Sequence, residues 1–497
     1  MKAKFWSRLV TDITNDKPET ADLVLTGGMV IDGSGADRRP ADIAVTGGRI
    51  SAVLPPGAPP PATRTLDVGG RIVAPGFIDV HTHDDNAVLI GPDMTAKISQ
   101  GVTTVVAGNC GISLSPVEPI EPPPPMNLLG GRDAYKFSST ADYASAVDAT
   151  RPSVNVAALI GHSTLRVGAM DRLDRKARPA EIDAMRGRLA DSLDAGAIGF
   201  STGLWYKPNA AADMDEVVAL AELLADRGGV YATHMRNEHD GVLDSLQESF
   251  ETANRANVPI VISHHKCAGP KNWGRSRETL PVIDQARDRQ RVSLDAYPYP
   301  AGSTVLEPEM VDPEIRITVT WSVPFPEMAG RDLADIAAEW QCSQVDAAVR
   351  LNPAGAIYFQ IDEADLRRIL AYPPTMIGSD GLPHDAHPHP RLWGTFPRVL
   401  GHYCRGEGLF SLEQAIHKMT GLSAGNFGLT DRGEIREGAH ADLVVFDADT
   451  VIDRATFEDP EQPAAGIDHV VVGGTISWSG GGHTGDRNGR FIHRSAP

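Results

Sequence analysis

Two histidines separated by one residue, His81 and His83, stand at the end of the apolar run 73–80. Side chains alternate along a strand, so both imidazoles leave the same side about 6 to 7 Å apart, a spacing that suits two ligands of one metal. Surface strands also carry such pairs by chance. The pair therefore indicates a metal site only if neighbouring apolar runs also end in metal-binding residues.

Four further apolar runs end in residues that bind metals or transfer protons: Cys110, His234, His264 and Asp380. A thiolate and two imidazoles suit Zn²⁺, and three protein ligands leave the open position that a catalytic zinc requires. His81, His83 and Asp380 could hold a second metal. The residues leave open whether the site binds one metal or two. Asp380 can also take a proton from an attacking water and return it to a leaving amine, and we predict it as the acid/base.

Eight short apolar runs alternate with helical patterns between about residues 76 and 424, which is the count of a (β/α)₈ barrel of the TIM type in the α/β class. In such a barrel the loops after the strands form the active face, and the candidate ligands occupy those strand ends. Helices are predicted over 179–195, 213–227 and 240–257. The runs are 77–80, 103–107, 154–160, 197–201, 229–233, 259–263, 292–296 and 375–379.

The seventh unit carries a long insertion, about 297–374, and insertions at the active face favour a lid or a substrate-binding element. Similar short strand patterns begin at Ala21, Ala41 and Ala441. They predict a small discontinuous β-sandwich domain made by both chain ends, from residues 1–75 and 425–497, around the catalytic barrel 76–424. Residues 1 to about 20 and 484–497 are expected to be loose tails.

The net charge of the chain excludes some classes of binding partner. The chain has 497 residues and a formal net charge of −19, which argues against a nucleic acid or an anionic membrane as partner. No apolar stretch is long enough to span a membrane and no signal peptide is apparent. Four widely spaced cysteines indicate a reducing compartment, and we expect a cytoplasmic protein of undetermined oligomeric state.

The motifs at these strand ends resemble those of the amidohydrolase superfamily and, within it, of the D-aminoacylases, which are N-acyl-D-amino-acid deacylases. The likeness covers nearly the whole chain. His-x-His is shared by many amidohydrolases, whereas Cys110 between Asn109 and Gly111 is more discriminating, because many relatives use a bridging modified lysine there. The segments that carry the resemblance are 76–83, 101–111, 233–236, 262–266, 296–299, 378–381 and 438–446.

The resemblance implies an amidohydrolase-type barrel and zinc-dependent hydrolysis of small-molecule N-acyl-D-amino acids to a carboxylate and a free D-amino acid. It implies a tight zinc on Cys110, His234 and His264, a weaker divalent site near His81 and His83, and attack by metal-bound hydroxide with Asp380 as base and then acid. It further implies that the insertion is a lid. The residues that it implies for holding the substrate's α-carboxylate are Lys266, Tyr297, Ser303 and Arg391.

Three alternatives stay open. A cyclic amidase of the hydantoinase or dihydropyrimidinase kind, or a D-dipeptidase, would use the same fold. A non-catalytic scaffold is disfavoured, because a scaffold needs neither the ligand set nor the acid/base at the eighth strand. The side-chain preference, whether D-Met-like, D-Glu-like or D-Asp-like, depends on less distinctive loops.

Overall fold

The computed structural model describes residues 20–118 and 120–494, and within them twenty β-strands follow in chain order. Five precede the barrel: β1 Ala21–Val30, β2 Arg39–Thr46, β3 Arg49–Leu54, β4 Ala62–Asp67 and β5 Ile72–Pro75. The barrel begins with β6 Phe77–Asp79, β7 Val102–Ala107, β8 Asn155–Gly161, β9 Gly199–Gly203, β10 Val230–His234, β11 Ile260–Ile262 and β12 Val292–Ala296. After it come β13 Gly302–Val305, β14 Ile317–Ser322, β15 Ala354–Tyr358, β16 Thr375–Ile377, β17 Leu443–Phe446, β18 Ile467–Val472, β19 Thr475–Ser479 and β20 Gly482–His483.

The predicted eight-stranded barrel is confirmed. β6 to β12 and β16 form one parallel sheet in chain order, and every residue of these strands is buried. Burial on both faces explains why the strands read as nearly continuous apolar runs in the sequence. β16 and β6 meet through a single parallel bridge, Thr82 with Gly381, and through a bond from Asp380 N to the carbonyl oxygen of His81 at 2.8 Å.

The three predicted helices are also present, each shorter than its pattern. The helix Met214–Ala225 starts after Asp213, whose carboxylate accepts a hydrogen bond from Glu216 N at 3.0 Å. Asp240 does not cap its helix and accepts a bond from Asn272 Nδ2 instead. The α-helices are Ala87–Ile90, Thr95–Ile98, Thr140–Thr150, His162–Ala169, Pro179–Asp194, Lys207–Ala210, Met214–Ala225, Val242–Ala256, Ser276–Arg287, Leu333–Glu339, Gln344–Leu351, Glu363–Ala371, Arg391–Arg398, Leu412–Met419 and Gly421–Phe427.

The long insertion folds around its own small sheet. β15 pairs antiparallel with both β13 and β14, and residues of this sheet and of the helices Leu333–Glu339 and Gln344–Leu351 form a separate hydrophobic core. The helix Glu363–Ala371, near the end of the predicted insertion, packs instead against the barrel helix Ser276–Arg287 and against β16. The insertion therefore presents β13 to the barrel mouth as the edge of a packed unit.

Both chain ends share one sheet of nine strands, which contains β1 to β5 and β17 to β20. This agrees with the predicted second domain, while its exact boundaries stay a prediction. The C-terminal tail expectation is wrong for residues 484–494: Phe491 is buried and Val156 N donates to the carbonyl oxygen of Arg490 at 2.9 Å, because this segment pairs with the chain at the start of β8. The N-terminal tail expected for residues 1–19 lies outside the described residues. Among the described helices none is long and apolar enough to cross a membrane.

Candidate metal centre and active site

The six candidate ligands meet at the mouth of the barrel, and all six are buried. His234 is the last residue of β10, and the others follow the ends of their strands by two to four residues. The expected strand ladder thus stops earlier than the sequence indicated, at Asp79 before His81 and His83. The ligand-capable atoms lie within 4.8 Å of one another in two groups that share Cys110: one with His234 and His264, the other with His81, His83 and Asp380.

Three of these residues have an unusual backbone. Cys110, His264 and Asp380 have φ angles of 52°, 36° and 51°, in the left-handed region that side chains with a Cβ rarely adopt. Each of them follows a barrel strand, so the chain turns sharply there and the side chain points into the mouth. Such strained residues are found where function requires them, which supports the placement of the site at these strand ends.

Cys110, His234 and His264, here called the cysteine group, have the donor types of a zinc site. Cys110 Sγ lies 3.4 Å from His264 Nε2, and that nitrogen lies 3.0 Å from His234 Nδ1. Bond lengths of about 2.0 Å for nitrogen and 2.3 Å for sulfur give tetrahedral edges of roughly 3.3 to 3.6 Å. The sulfur–nitrogen separation lies within this range and the nitrogen–nitrogen separation just below it, so Zn²⁺ would need only a small outward shift of one imidazole.

His81, His83 and Asp380, here called the aspartate group, lie directly beside it. Asp380 Oδ1 is 3.1 Å from His83 Nε2 and 3.5 Å from His81 Nε2. His81 Nε2 is also 3.2 Å from Cys110 Sγ, so a metal held here would share the sulfur with the cysteine group. The other oxygen of Asp380, Oδ2, lies 2.9 Å from Arg391 Nη1.

Charges around the site favour the ionised forms of Cys110 and Asp380. Burial would raise the pKa of the Cys110 thiol, but His81 and His264 hold it well below its ordinary value. Burial would likewise raise the pKa of Asp380, yet Arg391, followed by His81, holds it well below the usual range for a carboxyl. A thiolate and a carboxylate are the forms that bind a divalent cation.

Glu238 is a site residue that the sequence reasoning missed. Its Oε1 lies 3.0 Å from His264 Nδ1 and 2.7 Å from Lys266 Nζ. A carboxylate on the remote nitrogen of a metal-binding histidine fixes the orientation of the ring and makes it a stronger ligand. The signal was available, because Glu238 stands four residues after His234 in a loop that follows a barrel strand.

Asp295 is the second residue that was missed, and it lies in β12 beneath the mouth. Its Oδ1 accepts a hydrogen bond from His264 N at 2.9 Å, and its Oδ2 lies 3.4 Å from His81 Nδ1. One buried carboxylate thus contacts a residue from each group. An acidic residue inside an otherwise apolar strand was the sequence signal for it.

Three of the four predicted carboxylate-binding residues, Lys266, Tyr297 and Ser303, line the cavity, whereas Arg391 lies behind its wall, against Tyr297 and Asp380. The guanidinium of Arg391 lies 4.5 Å from the ring centroid of Tyr297, and Lys266 Nζ lies 6.0 Å from the same centroid. Arg391 also donates to the carbonyl oxygen of Ser303 at 3.0 Å. Within the described residues, the hydroxyls of Tyr297 and Ser303 are buried without a hydrogen-bond partner, although both residues line the cavity. They are free to bond a ligand.

The cavity lies between the barrel mouth and β13. The ring of Tyr206 lies 4.9 Å from that of His234, and its hydroxyl is 3.0 Å from Thr304 Oγ1 on β13, so the insertion forms a wall of the site. The remaining part of the lining is mainly apolar and aromatic, with Leu128, Trp205, Met310, Tyr358 and Leu382.

Histidines that the sequence left unassigned mostly have structural partners. His162 Nε2 lies 2.9 Å from Glu216, His265 Nε2 lies 2.9 Å from Thr279, and His389 Nε2 lies 3.0 Å from the carbonyl oxygen of Ala301. His239 lines the cavity. All four cysteines are free, and Cys110 alone among them contacts the histidine cluster.

Fold and site together define a class: a (β/α)₈ barrel with a histidine, cysteine and aspartate cluster at the carboxyl ends of its strands, where barrel enzymes hold their catalytic groups. The sequence matches the amidohydrolase family over residues 64–357 and 334–477. It is 54% identical to a D-aminoacylase of Alcaligenes xylosoxydans xylosoxydans over 96% of this chain and 98% of that protein.

A second relative from the same organism is an N-acyl-D-glutamate deacylase, 51% identical over 96% of this chain and 98% of its own length. Among solved structures, the N-acyl-D-glutamate deacylase of Bordetella bronchiseptica, complexed with zinc and a phosphonate inhibitor, is similar with a TM-score of 0.93 and 48% identity over 96% of this chain and 100% of that one. The chain belongs to the amidohydrolase family, in the group that contains these deacylases. It is an enzyme, a metal-dependent amidohydrolase.

Proposed function

We propose that this enzyme hydrolyses N-acyl-D-amino acids to a carboxylate and a free D-amino acid. The observation that carries the proposal is the position of the cysteine group, Asp380 and Lys266 at one cavity, with Arg391 behind Asp380, in a chain that shares half of its residues with deacylases of such substrates. The reaction needs a polarised carbonyl, an activated water, a proton carrier and an anchor for the substrate's carboxylate, and each has a candidate here.

The cysteine group would hold a tight zinc, and the aspartate group would hold a weaker divalent ion that shares Cys110. Bound there, zinc would supply Lewis-acid polarisation of the acyl carbonyl and a lowered pKa for the attacking water. Glu238 and Asp295 orient the ligand rings from behind. Because the cluster is buried, bulk water does not compete with the substrate for these groups.

Asp380 would move the proton. Its Oδ1 faces the two histidines, and its Oδ2 faces Arg391, so the carboxylate is fixed at both ends. Acting as base it takes a proton from the attacking water, and acting as acid it delivers that proton to the amide nitrogen as the C–N bond breaks. The charge of Arg391 keeps the carboxylate ionised before the reaction.

Lys266, Arg391, Tyr297 and Ser303 would bind the α-carboxylate. An ammonium and a guanidinium beside two hydroxyls that lack partners match the acceptor oxygens of a carboxylate. With the carboxylate and the acyl carbonyl each held at a fixed point, the side chain can enter only one remaining region. An L-isomer would misplace one of the three groups, which accounts for selectivity toward the D-isomer.

For the side chain we propose a neutral, apolar preference. Leu128, Met310 and Leu382 line the cavity together with aromatic rings, and Lys266, the cation in this lining, is already assigned to the α-carboxylate. Burying a second carboxylate there without a free cation would be costly. N-acyl-D-methionine and N-acyl-D-leucine should therefore be better substrates than N-acyl-D-glutamate or N-acyl-D-aspartate.

Metal analysis of the purified enzyme, combined with a panel of N-acetyl-D- and N-acetyl-L-amino acids, tests the proposal. We expect at least one zinc per chain, turnover of the D-isomers and little turnover of the L-isomers. Equal turnover of N-acetyl-D- and N-acetyl-L-methionine would refute the stereochemical part. Hydrolysis of a hydantoin, a dihydropyrimidine or a D-dipeptide, with no action on the N-acetyl substrates, would select the cyclic amidase or the dipeptidase instead.

A further inference from the structure

A lysine lies fully buried beside the active site, at the seam where the barrel closes. Lys97 belongs to the short helix Thr95–Ile98, and its side chain is not exposed. Its Nζ lies 2.8 Å from Asp79 Oδ2, 3.2 Å from Asp84 Oδ2 and 2.8 Å from Ser379 Oγ. Burial would lower the pKa of Lys97, but the two aspartates raise it above the usual value, so the amine carries its charge.

These contacts connect the two chain segments that carry the aspartate group. Asp79 is the last residue of β6, and its Oδ1 accepts a hydrogen bond from Ser379 N at 2.8 Å. Ser379 immediately precedes Asp380, whose own backbone N donates to the carbonyl oxygen of His81. Lys97 therefore ties the segment of His81 to the segment of Asp380 at the place where the strand ladder itself provides only one bridge.

Stability is a poor explanation for this arrangement. Removing several charges from water costs about as much as their mutual attraction returns, and apolar residues of similar size often close such a gap at no loss. The attested benefit of a buried charged cluster is that it selects one geometry among similar packed ones. The geometry selected here is the register of β6 against β16, which sets the distance between Asp380 and the two histidines.

We propose that Lys97 is a positioning residue for hydrolysis: through Asp79 and Ser379 it fixes Asp380 against His81 and His83. The proposal rests on the proposed function, because it concerns the rate of the step in which Asp380 moves the proton. Lys97 itself lies behind the ligands and does not touch the substrate cavity, whose lining contains Asp380 but not Lys97.

Two variants test it with N-acetyl-D-methionine and the zinc-loaded enzyme. Lys97→Met should lower kcat at least tenfold with KM within about twofold and with unchanged zinc content. Because this variant leaves two aspartates buried without their cation and could fail to fold, Ser379→Ala provides the second measurement. It keeps the ion pairs, removes the bonds of Ser379 Oγ with Lys97, with Gly381 N and with the carbonyl oxygen of His81, and should lower kcat threefold to tenfold with the same unchanged KM.

A matched control is a second buried lysine, Lys418, in the helix Leu412–Met419. It donates to the carbonyl oxygens of Tyr372 and Thr375, at the start of β16, whereas Lys97 contacts Ser379, which follows the end of β16. Lys418→Met should lower the melting temperature and leave kcat within twofold of wild type. Lys97→Met should lower kcat at least tenfold. Equal effects of the two variants on kcat would reduce Lys97 to a structural role and overturn the proposal.

A coupling measurement separates positioning from general damage. In an Asp380→Ala background, adding Ser379→Ala should change the remaining kcat by less than twofold, because the residue being positioned is already gone. A further drop as large as in the wild type would contradict the proposal. A wild type inactive on the whole substrate panel would refute the proposed function instead. The visible spectrum of enzyme loaded with two Co²⁺ per chain, so that the aspartate group is occupied, tests the positioning role without activity: the Lys97 and Ser379 variants should differ from wild type, and identical spectra would overturn that role.

Discussion

The cysteine group and the aspartate group lie side by side but are supported differently. The cysteine group has a thiolate and two imidazoles, and Glu238 backs His264 from the side of Lys266. The aspartate group has two imidazoles and a carboxylate, and its carboxylate is shared with Arg391. Soft ligands with a carboxylate behind them favour tight retention of zinc, whereas a carboxylate that is also paired with an arginine binds a metal less firmly.

The difference suggests a division of work. The cysteine group would retain the metal, and the aspartate group would supply the proton carrier and at most a weak second site. Changes in the cysteine group should therefore lower metal content and activity together. Changes in the aspartate group should lower activity while the tight metal stays bound.

The largest effect is expected from Cys110→Ala. Losing the thiolate removes the ligand that both groups share, so zinc content should fall well below one per chain and kcat/KM should fall by more than about 10³-fold. Metal analysis after gel filtration and a kinetic assay check this. Cys404→Ala, in a half-buried position away from the site, is the control and should keep its zinc; a zinc-replete, active Cys110→Ala would place the metal elsewhere.

Asp380→Ala should separate chemistry from retention. General acid–base catalysis contributes about 10² to 10⁴-fold, so kcat should drop by that order while one zinc per chain remains. Turnover and metal content are measured on the same preparation. Activity close to that of the wild type would remove Asp380 from the mechanism, and loss of all zinc would erase the contrast between the two groups.

Glu238→Gln should weaken zinc binding without abolishing it. Loss of the carboxylate behind a metal-binding histidine typically costs about 10 to 100-fold in metal affinity. Competition with a chelator of known affinity measures this. Glu248→Gln removes a comparable ion pair, with Arg236 at 2.8 Å, outside the cluster and should leave zinc affinity unchanged; equal effects of both variants would deny Glu238 its role behind His264.

The smallest effect is expected from Tyr297→Phe. A lost hydrogen bond to a carboxylate is worth about 1 to 2 kcal/mol, so KM for N-acetyl-D-methionine should rise roughly fivefold to thirtyfold with zinc content unchanged. Steady-state kinetics give the value. Tyr403→Phe, whose hydroxyl bonds Glu363 at 3.1 Å, is the control; an unchanged KM in Tyr297→Phe would take the hydroxyl out of the carboxylate site.

Most of the barrel could be predicted from the sequence because parallel strands buried on both faces leave unmistakable apolar runs. The strand ends were less predictable: the ladder stops at Asp79 and Ile262, before the histidines that follow, because the chain turns inward there. After Ile262 the left-handed φ angle of His264 produces that turn, and Cys110 and Asp380 turn the chain in the same way after β7 and β16; no local composition predicts such φ angles in residues other than glycine.

The candidate ligands could be predicted from their residue types, whereas the residues that orient them became apparent only from contacts in the structure. Glu238, Asp295 and Lys97 each act through residues far away in the chain, and a single acidic or basic residue has no periodicity to mark it. The segment 484–494 shows the same limit, because its position at the chain end predicted a tail while the burial of Phe491 depends on tertiary packing.

X-ray absorption at the zinc edge, on enzyme loaded with one zinc per chain, identifies the atoms that hold the metal. We expect one sulfur ligand at about 2.3 Å together with nitrogen or oxygen ligands at about 2.0 to 2.1 Å, and loss of the sulfur signal in Cys110→Ala. A first shell of nitrogen and oxygen alone in the wild-type enzyme would contradict it.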